Sequence, residues 1–377
     1  MIFQIGGMRM KKGLRKWLGL GISALMALSV AGCGSGTATT GAAADNSGNK
    51  EGVKKIGVAM PTKDLQRWVQ DGENMQKELV AAGYEVDLQY ANNDISTQVS
   101  QIENMISNSC DILVIASIDG TALGTALSGA KDAGIPVIAY DRLIMQSDAV
   151  SYYATFDNEL VGTLQGQYIE DALDLKNAAG PFNIELFTGS SDDNNCNFFF
   201  GGAMKVLQPY IDEGKLVVKS GSTTLAECAT PNWSTEEAQK RMENIISAYY
   251  SDGTKLDAVL SSNDSVANGI TNALVASYNG EFPILTGQDC DITSVKNIIA
   301  HKQSMSIFKD TRTLAAQVVK MVTAIINGEE VPVNDTETYD NGTGVIPSYL
   351  CEPVFADIDN YKALLIDSGY YTEAQLQ

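Results

Sequence analysis

The stretch Asp111-Ile-Leu-Val-Ile-Ala116, then a helical run over 121–133 closed by Gly134, then Pro136-Val-Ile-Ala-Tyr140, decides the fold. Two short, wholly apolar strands flank one amphipathic helix. A strand with no polar alternation must be covered on both faces, and a helix between two such strands supplies the cover while returning the chain to a parallel neighbour. The same pattern extends in both directions. On the N-terminal side, Lys55-Ile-Gly-Val-Ala-Met60 and 84–90 read as strands. The run 65–82 reads as a helix, with Trp68, Met75, Leu79 and Ala82 near one stripe and Gly83 as its cap. The run 96–107 is a helix with Val99, Ile102 and Ile106 on one face. On the C-terminal side, strands are predicted at 151–156, 182–187, 216–219, 257–260, 283–286 and 305–308. Helices are predicted at 159–173, 197–207, 235–249, 265–277, 292–301 and 314–327. Ten strands are too many for one small doubly wound sheet, so the fold class is α/β with two parallel-sheet lobes.

Upstream of this body the chemistry changes. Arg9, Lys11, Lys12, Arg15 and Lys16 precede a mostly apolar stretch at 17–30 that is too short to span a bilayer comfortably. It ends in Leu28-Ser-Val-Ala-Gly-Cys33, which looks like a bacterial lipobox, with Cys33 as the lipidated first residue of the mature chain. An ordinary secretory leader with a chance cysteine is the alternative. Residues 33–52 are rich in Gly, Ser, Thr, Ala and Asn and read as a flexible tether. The expected organisation is a leader at 1–32, a lipid-anchored tether at 33–52 and a body beyond. That places the body outside the cytoplasm, on the outer face of the cell membrane or in the periplasm.

Charge narrows the partners. The chain carries −20, and residues 1–32 hold five basic and no acidic residues, so the remainder carries −25. Binding to nucleic acid is dominated by cationic contacts to phosphate, so nucleic acid is excluded as a partner. Five cysteines follow Cys33, none in a CxxC, and His301 is the single histidine. A Cys/His metal site has almost no material, and neither metal nor cofactor is expected.

In open α/β sheets, ligands bind beyond the carboxyl ends of the strands. Those positions here hold Arg67 and Trp68, Asp141 and Arg142, Asn194 or Asn195, Asn263, Asp289 and Lys309, with Trp233 on a connection. Each alone has a bland reading: Trp68 as core, Asp141 with Arg142 as a solvated ion pair, 190–193 as helix caps. Together they set planar polar groups between indole faces. Ring hydroxyls need donors and acceptors in fixed directions, and the C–H faces of a pyranose stack on indole.

Seven stretches in order now carry a resemblance: Arg67-Trp-Val-Gln-Asp-Gly-Glu-Asn-Met75, Ala139-Tyr-Asp-Arg142, Phe156-Asp-Asn158, Asp193-Asn-Asn-Cys-Asn-Phe-Phe-Phe200, Ser262-Asn-Asp264, Thr286-Gly-Gln-Asp289 and Phe308-Lys-Asp-Thr-Arg312. The chain resembles the type 1 periplasmic-binding-protein family, in its branch of monosaccharide-binding lipoproteins serving ABC transporters, and is most similar to the multiple-sugar and glucose/galactose/xylose-type receptors. The resemblance implies two lobes joined by hinge crossovers, 53–156 plus 309–333 and 157–308 plus 334–377, with the sugar between them. It implies that Arg67, Asp141, Arg142, Asn195, Asn263, Asp289 and Lys309 hydrogen-bond the sugar while Trp68 and Trp233 stack on it. It further implies a monomer that delivers an aldopyranose such as glucose, galactose, xylose or arabinose to a permease with a cytoplasmic ATPase. Thr230-Pro-Asn-Trp233 departs from the family pattern, which has a basic residue before the Trp. The fold would also bring Cys196 and Cys228 near the cleft, as a disulfide or as two buried free thiols.

Other classes fit less well. A glycosidase needs two carboxylates flanking a bond, but Asp141 and Asp289 each have a basic or amide neighbour. Serine hydrolysis would fall to His301, with no G-x-S-x-G nearby. A sugar-responsive repressor core needs a DNA-binding head where the leader stands. A receptor for chemotaxis or a sensor kinase would have the same body.

Overall fold

The computed structural model describes residues 52–377; the leader, Cys33 and the tether up to residue 51 lie outside the described residues. The elements alternate as β1 (Lys55–Met60), α1 (Gln66–Ala81), β2 (Glu85–Tyr90), α2 (Ile95–Ser107), β3 (Ile112–Ile115), α3 (Gly124–Asp132), β4 (Val137–Tyr140) and β5 (Val150–Phe156). They continue as α4 (Asn158–Ala172), β6 (Phe182–Phe187), α5 (Asn195–Asp212), β7 (Leu216–Val218), α6 (Leu225–Cys228), α7 (Thr235–Tyr249), β8 (Ala258–Ser261), α8 (Asp264–Ser277), β9 (Ile284–Leu285), α9 (Ile292–Ile299) and β10 (Met305–Phe308). The chain closes with α10 (Thr311–Asn327), β11 (Ser348–Cys351), β12 (Val354–Asp357) and α11 (Glu373–Leu376).

The first lobe is built on a six-stranded parallel sheet of order β11-β5-β4-β3-β1-β2. β3 and β4 are buried along their whole length, as wholly apolar strands require. One face packs Trp68, Met75 and Leu79 of α1 with Leu314, Val318 and Met321 of α10; the other packs Ile102 and Met105 of α2 with Leu127 of α3. The second lobe is built on β7-β6-β8-β9. Past β9 the edge continues through a parallel bridge between Gln288 and Ile307 of β10, which pairs antiparallel with β12. Both sheets therefore run in the order 2-1-3-4-5 with a late strand added at the far edge, a doubly wound arrangement whose switch points face each other across the cleft.

The chain passes between the sheets three times: after β5, after β10, and between β11 and β12. The first two passages follow Phe156 and Phe308, and the third follows Cys351. Residues expected to enter the second lobe at 334 remain with the first, because β11 pairs with β5 and Asn341 hydrogen-bonds the carbonyls of Ile144 and Ser147. Only past Cys351 does the chain reach β12.

Candidate functional site

The site begins with the first turn of α1. Arg67 and Trp68 are adjacent there, both buried, because α1 lays one face on the sheet while its N-terminus points into the cleft. The Arg67 guanidinium is a fork shared by three carboxylates. Nε donates to Asp71 Oδ2 at 2.8 Å, Nη1 to Asp289 Oδ1 at 3.0 Å, and Nη2 to Asp141 Oδ2. Asp71 and Asp141 belong to the first lobe and Asp289 to the second, so one side chain spans the cleft. Burial alone would lower the Arg67 pKa; the three carboxylates outweigh it and hold the cation more firmly than usual.

Asp141 follows β4 with φ 59°, a left-handed turn that aspartate tolerates. The turn aims its carbonyl at three donors: Tyr153 Oη at 2.6 Å, Asn195 Nδ2 at 2.8 Å and Thr155 Oγ1 at 3.0 Å. Burial would raise the Asp141 carboxyl, but Arg67, Lys309 and Arg142 hold it below its ordinary value. Asp141 is therefore an anionic acceptor, the opposite of a general acid. Lys309, on the second crossover, sits with Nζ 3.7 Å from Asp141 Oδ2 and 3.3 Å from Asp289 Oδ1, over the rings of Phe156 and Phe199. Asp289 follows β9 with φ 97°.

Arg142 Nη1 donates to the carbonyls of Ser117 and Ile118. Its Nε lies 2.9 Å from Asp193 Oδ2 but off the N–H direction, so that contact is an ion pair without a formed hydrogen bond. The guanidinium carbons of Arg67 and Arg142 stand 5.3 and 5.1 Å from the Trp68 ring centre. Trp233 ends a short 3-10 turn at 231–233. Its indole Nε1 donates to Asp193 Oδ2 at 3.2 Å, its ring meets Phe199 edge to face, and its six-membered ring lies against Gly189. A Cβ at Gly189 would come within 2.1 Å of Trp233 Cζ2, so only glycine lets the indole approach. Asn263 caps α8 by accepting from Val266 N at 3.0 Å, and among the described residues its Nδ2 has no protein partner.

All nine sequence-chosen residues, Arg67, Trp68, Asp141, Arg142, Asn195, Trp233, Asn263, Asp289 and Lys309, line one cavity with about 400 Å³ of space free of protein atoms, part of it open to solvent. Of the Asn194/Asn195 pair, Asn195 is buried and faces the cavity, whereas Asn194 accepts from Asn197 at the surface. Asn195 is also more committed than expected: its amide takes up Asp141 O and accepts from Asn158 Nδ2 at 3.1 Å, tying α5 to the first lobe.

The structure adds residues the sequence did not single out. Asp193, read as a cap, does accept from Asn195 N at 3.0 Å, but it also holds Arg142 and Trp233. Gln288 and Asp291 line the cavity too, and Gln288 Oε1 and Asp291 Oδ1 are buried without a protein partner. The motif Thr286-Gly-Gln-Asp289 contained the signal for Gln288, a polar residue beyond a strand end, whereas Asp291 lies outside it.

The disulfide expectation is corrected. Cys196 and Cys228 are free and buried, as are Cys110, Cys290 and Cys351. Cys196 lies in the first turn of α5 with Sγ 3.1 Å from Ser190 O, and Cys228 ends α6 with Sγ 3.4 Å from Ser222 O. They belong to different hydrophobic clusters on opposite faces of the second sheet. They pack as small apolar groups with weak S–H donors.

A family model described as a periplasmic binding protein domain matches residues 56–330. The chain belongs to this family. It is 53% identical over 326 residues to the multiple sugar-binding periplasmic protein SbpA of Azospirillum brasilense, covering 85% of this chain and 91% of that one. It is 37% identical over 322 residues to the D-xylose-binding periplasmic protein of Escherichia coli, covering 85% and 92%. Among solved structures it is similar to an ABC transporter solute binding protein from Clostridium phytofermentans with bound β-D-glucose, with TM-score 0.85 and 71% identity over 86% of this chain and all of that one. A carbohydrate transporter solute binding protein from Chloroflexus aurantiacus in complex with D-glucose gives TM-score 0.77 and 34% identity, covering 86% and 98%.

Proposed function

We propose that the chain is an extracytoplasmic sugar receptor that captures one monosaccharide between its lobes and hands it to an ABC importer. The observation that carries this reading is the convergence of three cations, their carboxylate partners, three amides and two indoles on one cavity fed by both sheets. Such a set offers what an aldopyranose requires. Anionic acceptors and forked donors alternate around the ring, and flat apolar walls stand above and below it. The names of the relatives point the same way. Glucose, galactose, xylose and arabinose are the candidates, with the membrane tether supplied by lipid on Cys33.

The mechanism is capture without bond making. The sugar meets one lobe, the lobes close about the three crossovers, and closure removes water from hydroxyls that are then paired from both sides. A hydroxyl left unpaired costs about 1–3 kcal/mol, so an epimer with one misplaced hydroxyl binds about 5–150-fold worse. Residue 232, where the family pattern has a base, is an exposed asparagine, so that departure bears on the mouth of the site and not its floor. Calorimetry against a panel of aldohexoses and aldopentoses tests the reading: one of them binds well below millimolar, and a panel with no such ligand overturns it.

A further inference from the structure

The C-terminal end of the chain does more than finish the second lobe. Its Tyr371 packs in a cluster with Cys290, Val295, Phe308 and Leu365, all part of that lobe's far edge. The ring is buried, yet its hydroxyl reaches back to the first lobe. It accepts from Gln66 Nε2 at 2.7 Å and from Gln70 Nε2 at 3.2 Å, both on α1, and donates to the carbonyl of Cys290 at 2.9 Å. Gln66 spans the same gap with its other atom, since its Oε1 accepts from Ile292 N at 3.1 Å. Gln66 directly precedes Arg67, and Cys290 directly follows Asp289, the two residues whose ion pair crosses the cleft. One phenol therefore joins the immediate chain neighbours of both.

We propose that Tyr371 and Gln66 form a latch that positions Arg67 against Asp289 and holds the lobes closed on the bound sugar. The inference rests on the reading of the cleft as a sugar site, and it assigns to this pair a role in retention that none of the cavity-lining residues needs. The Tyr371–Cys290 bond lies within the second lobe, whereas the bonds of Gln66 and Gln70 to Tyr371 and of Gln66 to Ile292 link opposite lobes and form on closure. These interlobe bonds oppose opening and leave the encounter with sugar untouched.

The test is Tyr371→Phe in the full chain, with stopped-flow tryptophan fluorescence for rates and small-angle scattering for shape. The ring keeps its packing and only the hydroxyl is lost. The expected result is a Kd raised about 3- to 30-fold, carried by faster dissociation. The association rate stays within about twofold of the wild type. The sugar-free variant also scatters with a larger radius of gyration than the wild type. Gln66→Met should reproduce the change in dissociation, and the double variant should be no worse than the more affected single, as members of one network are. Should Tyr371→Phe not fold, Gln66→Met decides. The latch is overturned by dissociation rates that match the wild type. If the wild type binds no aldose, the sugar reading fails separately, and superposed scattering curves for variant and wild type then remove the latch as well.

Discussion

Arg67 stands where the charges of both lobes meet. It touches Asp71, Asp141 and Asp289 while 6% exposed, so its removal takes the guanidinium from three carboxylates and leaves Asp141 and Asp289 with Lys309 and Asp71 with the Tyr140 hydroxyl alone. Breaking a buried ion pair by deleting one partner costs about 3–5 kcal/mol. Arg67→Met should lose roughly that much in urea unfolding and lose sugar binding together. Asp289→Asn, at the more open end of the fork, should weaken binding with a smaller loss of stability. An Arg67→Met protein of wild-type stability would show that the fork is not strained by the missing charge. A second residue-scale effect concerns Asp291, whose backbone N–H donates to Asp264 Oδ2 at 2.8 Å. Although Asp291 keeps some exposed surface, its Oδ1 is buried. Burial first, and Asp289 second, push its carboxyl up from 3.8 to about 7. An acid whose folded pKa lies above its unfolded value binds its proton more tightly when folded. Its contribution to stability is complete at low pH and lost as pH climbs from about 4 to about 7. Asp291→Asn should therefore match the wild type in Tm near pH 4, exceed it increasingly up to about pH 7 and hold that margin above; equal melting at pH 8 would refute the assignment. At this scale most of the site was legible, because Asp, Arg, Asn and Lys recur at strand ends where a fold of this class places its ligands. Asp193 was not: a carboxylate just ahead of a helix is read as a cap, and its grip on Arg142 and Trp233 depends on chain brought from elsewhere.

At the scale of elements, wholly apolar strands and single-stripe helices announced themselves, and β1 to β10 lie within a few residues of their predicted spans. β11 and β12 did not, since Ser348–Cys351 is buried only at its ends and owes its strand to pairing with β5. Of the two arrangements open for Cys196 and Cys228 the free thiols are found and the disulfide is not, for a related reason: proximity to a cleft says nothing about which face of a sheet a thiol occupies. Titration of the unfolded body should count five thiols, the same before and after reduction; a gain on reduction would restore the disulfide. The turn at Gly189 makes a sharper demand. Gly189→Ala must push the Trp233 indole off its seat or shift the loop beneath it. Sugar affinity should fall by about tenfold or more, as for a packing clash of about 1–3 kcal/mol, with altered near-ultraviolet tryptophan dichroism. Unchanged affinity would mean that Trp233 does not wall the site.

For the molecule as a whole, two sheets of matching order joined three times make a clamp, and a clamp that closes on its ligand is stabilised by it. Sugar at about 100 times Kd should add about 2.7 kcal/mol to unfolding and raise Tm accordingly, with a fall in radius of gyration. A Tm rise without compaction would keep binding but remove lobe closure. The pairing of the two lobes was legible from strand count alone. The third passage between them was not, because no composition change marks Glu352 and Pro353.

That interleaving bears on how the protein is made. β1 starts at Lys55, but the helix and edge strand that complete its sheet, α10 and β11, end only at Asn327 and Cys351. A nascent chain leaving the ribosome must therefore carry an unfinished first lobe until Cys351 has been synthesised, its α10-facing surface bare until Asn327. Completion waits on contacts far apart in the chain, such as Ser348 of β11 beside Tyr153 of β5 and Thr311 of α10 on Asn74 of α1, 237 residues apart, which are slow to form, and the half-built lobe is where a chaperone would find its apolar grip.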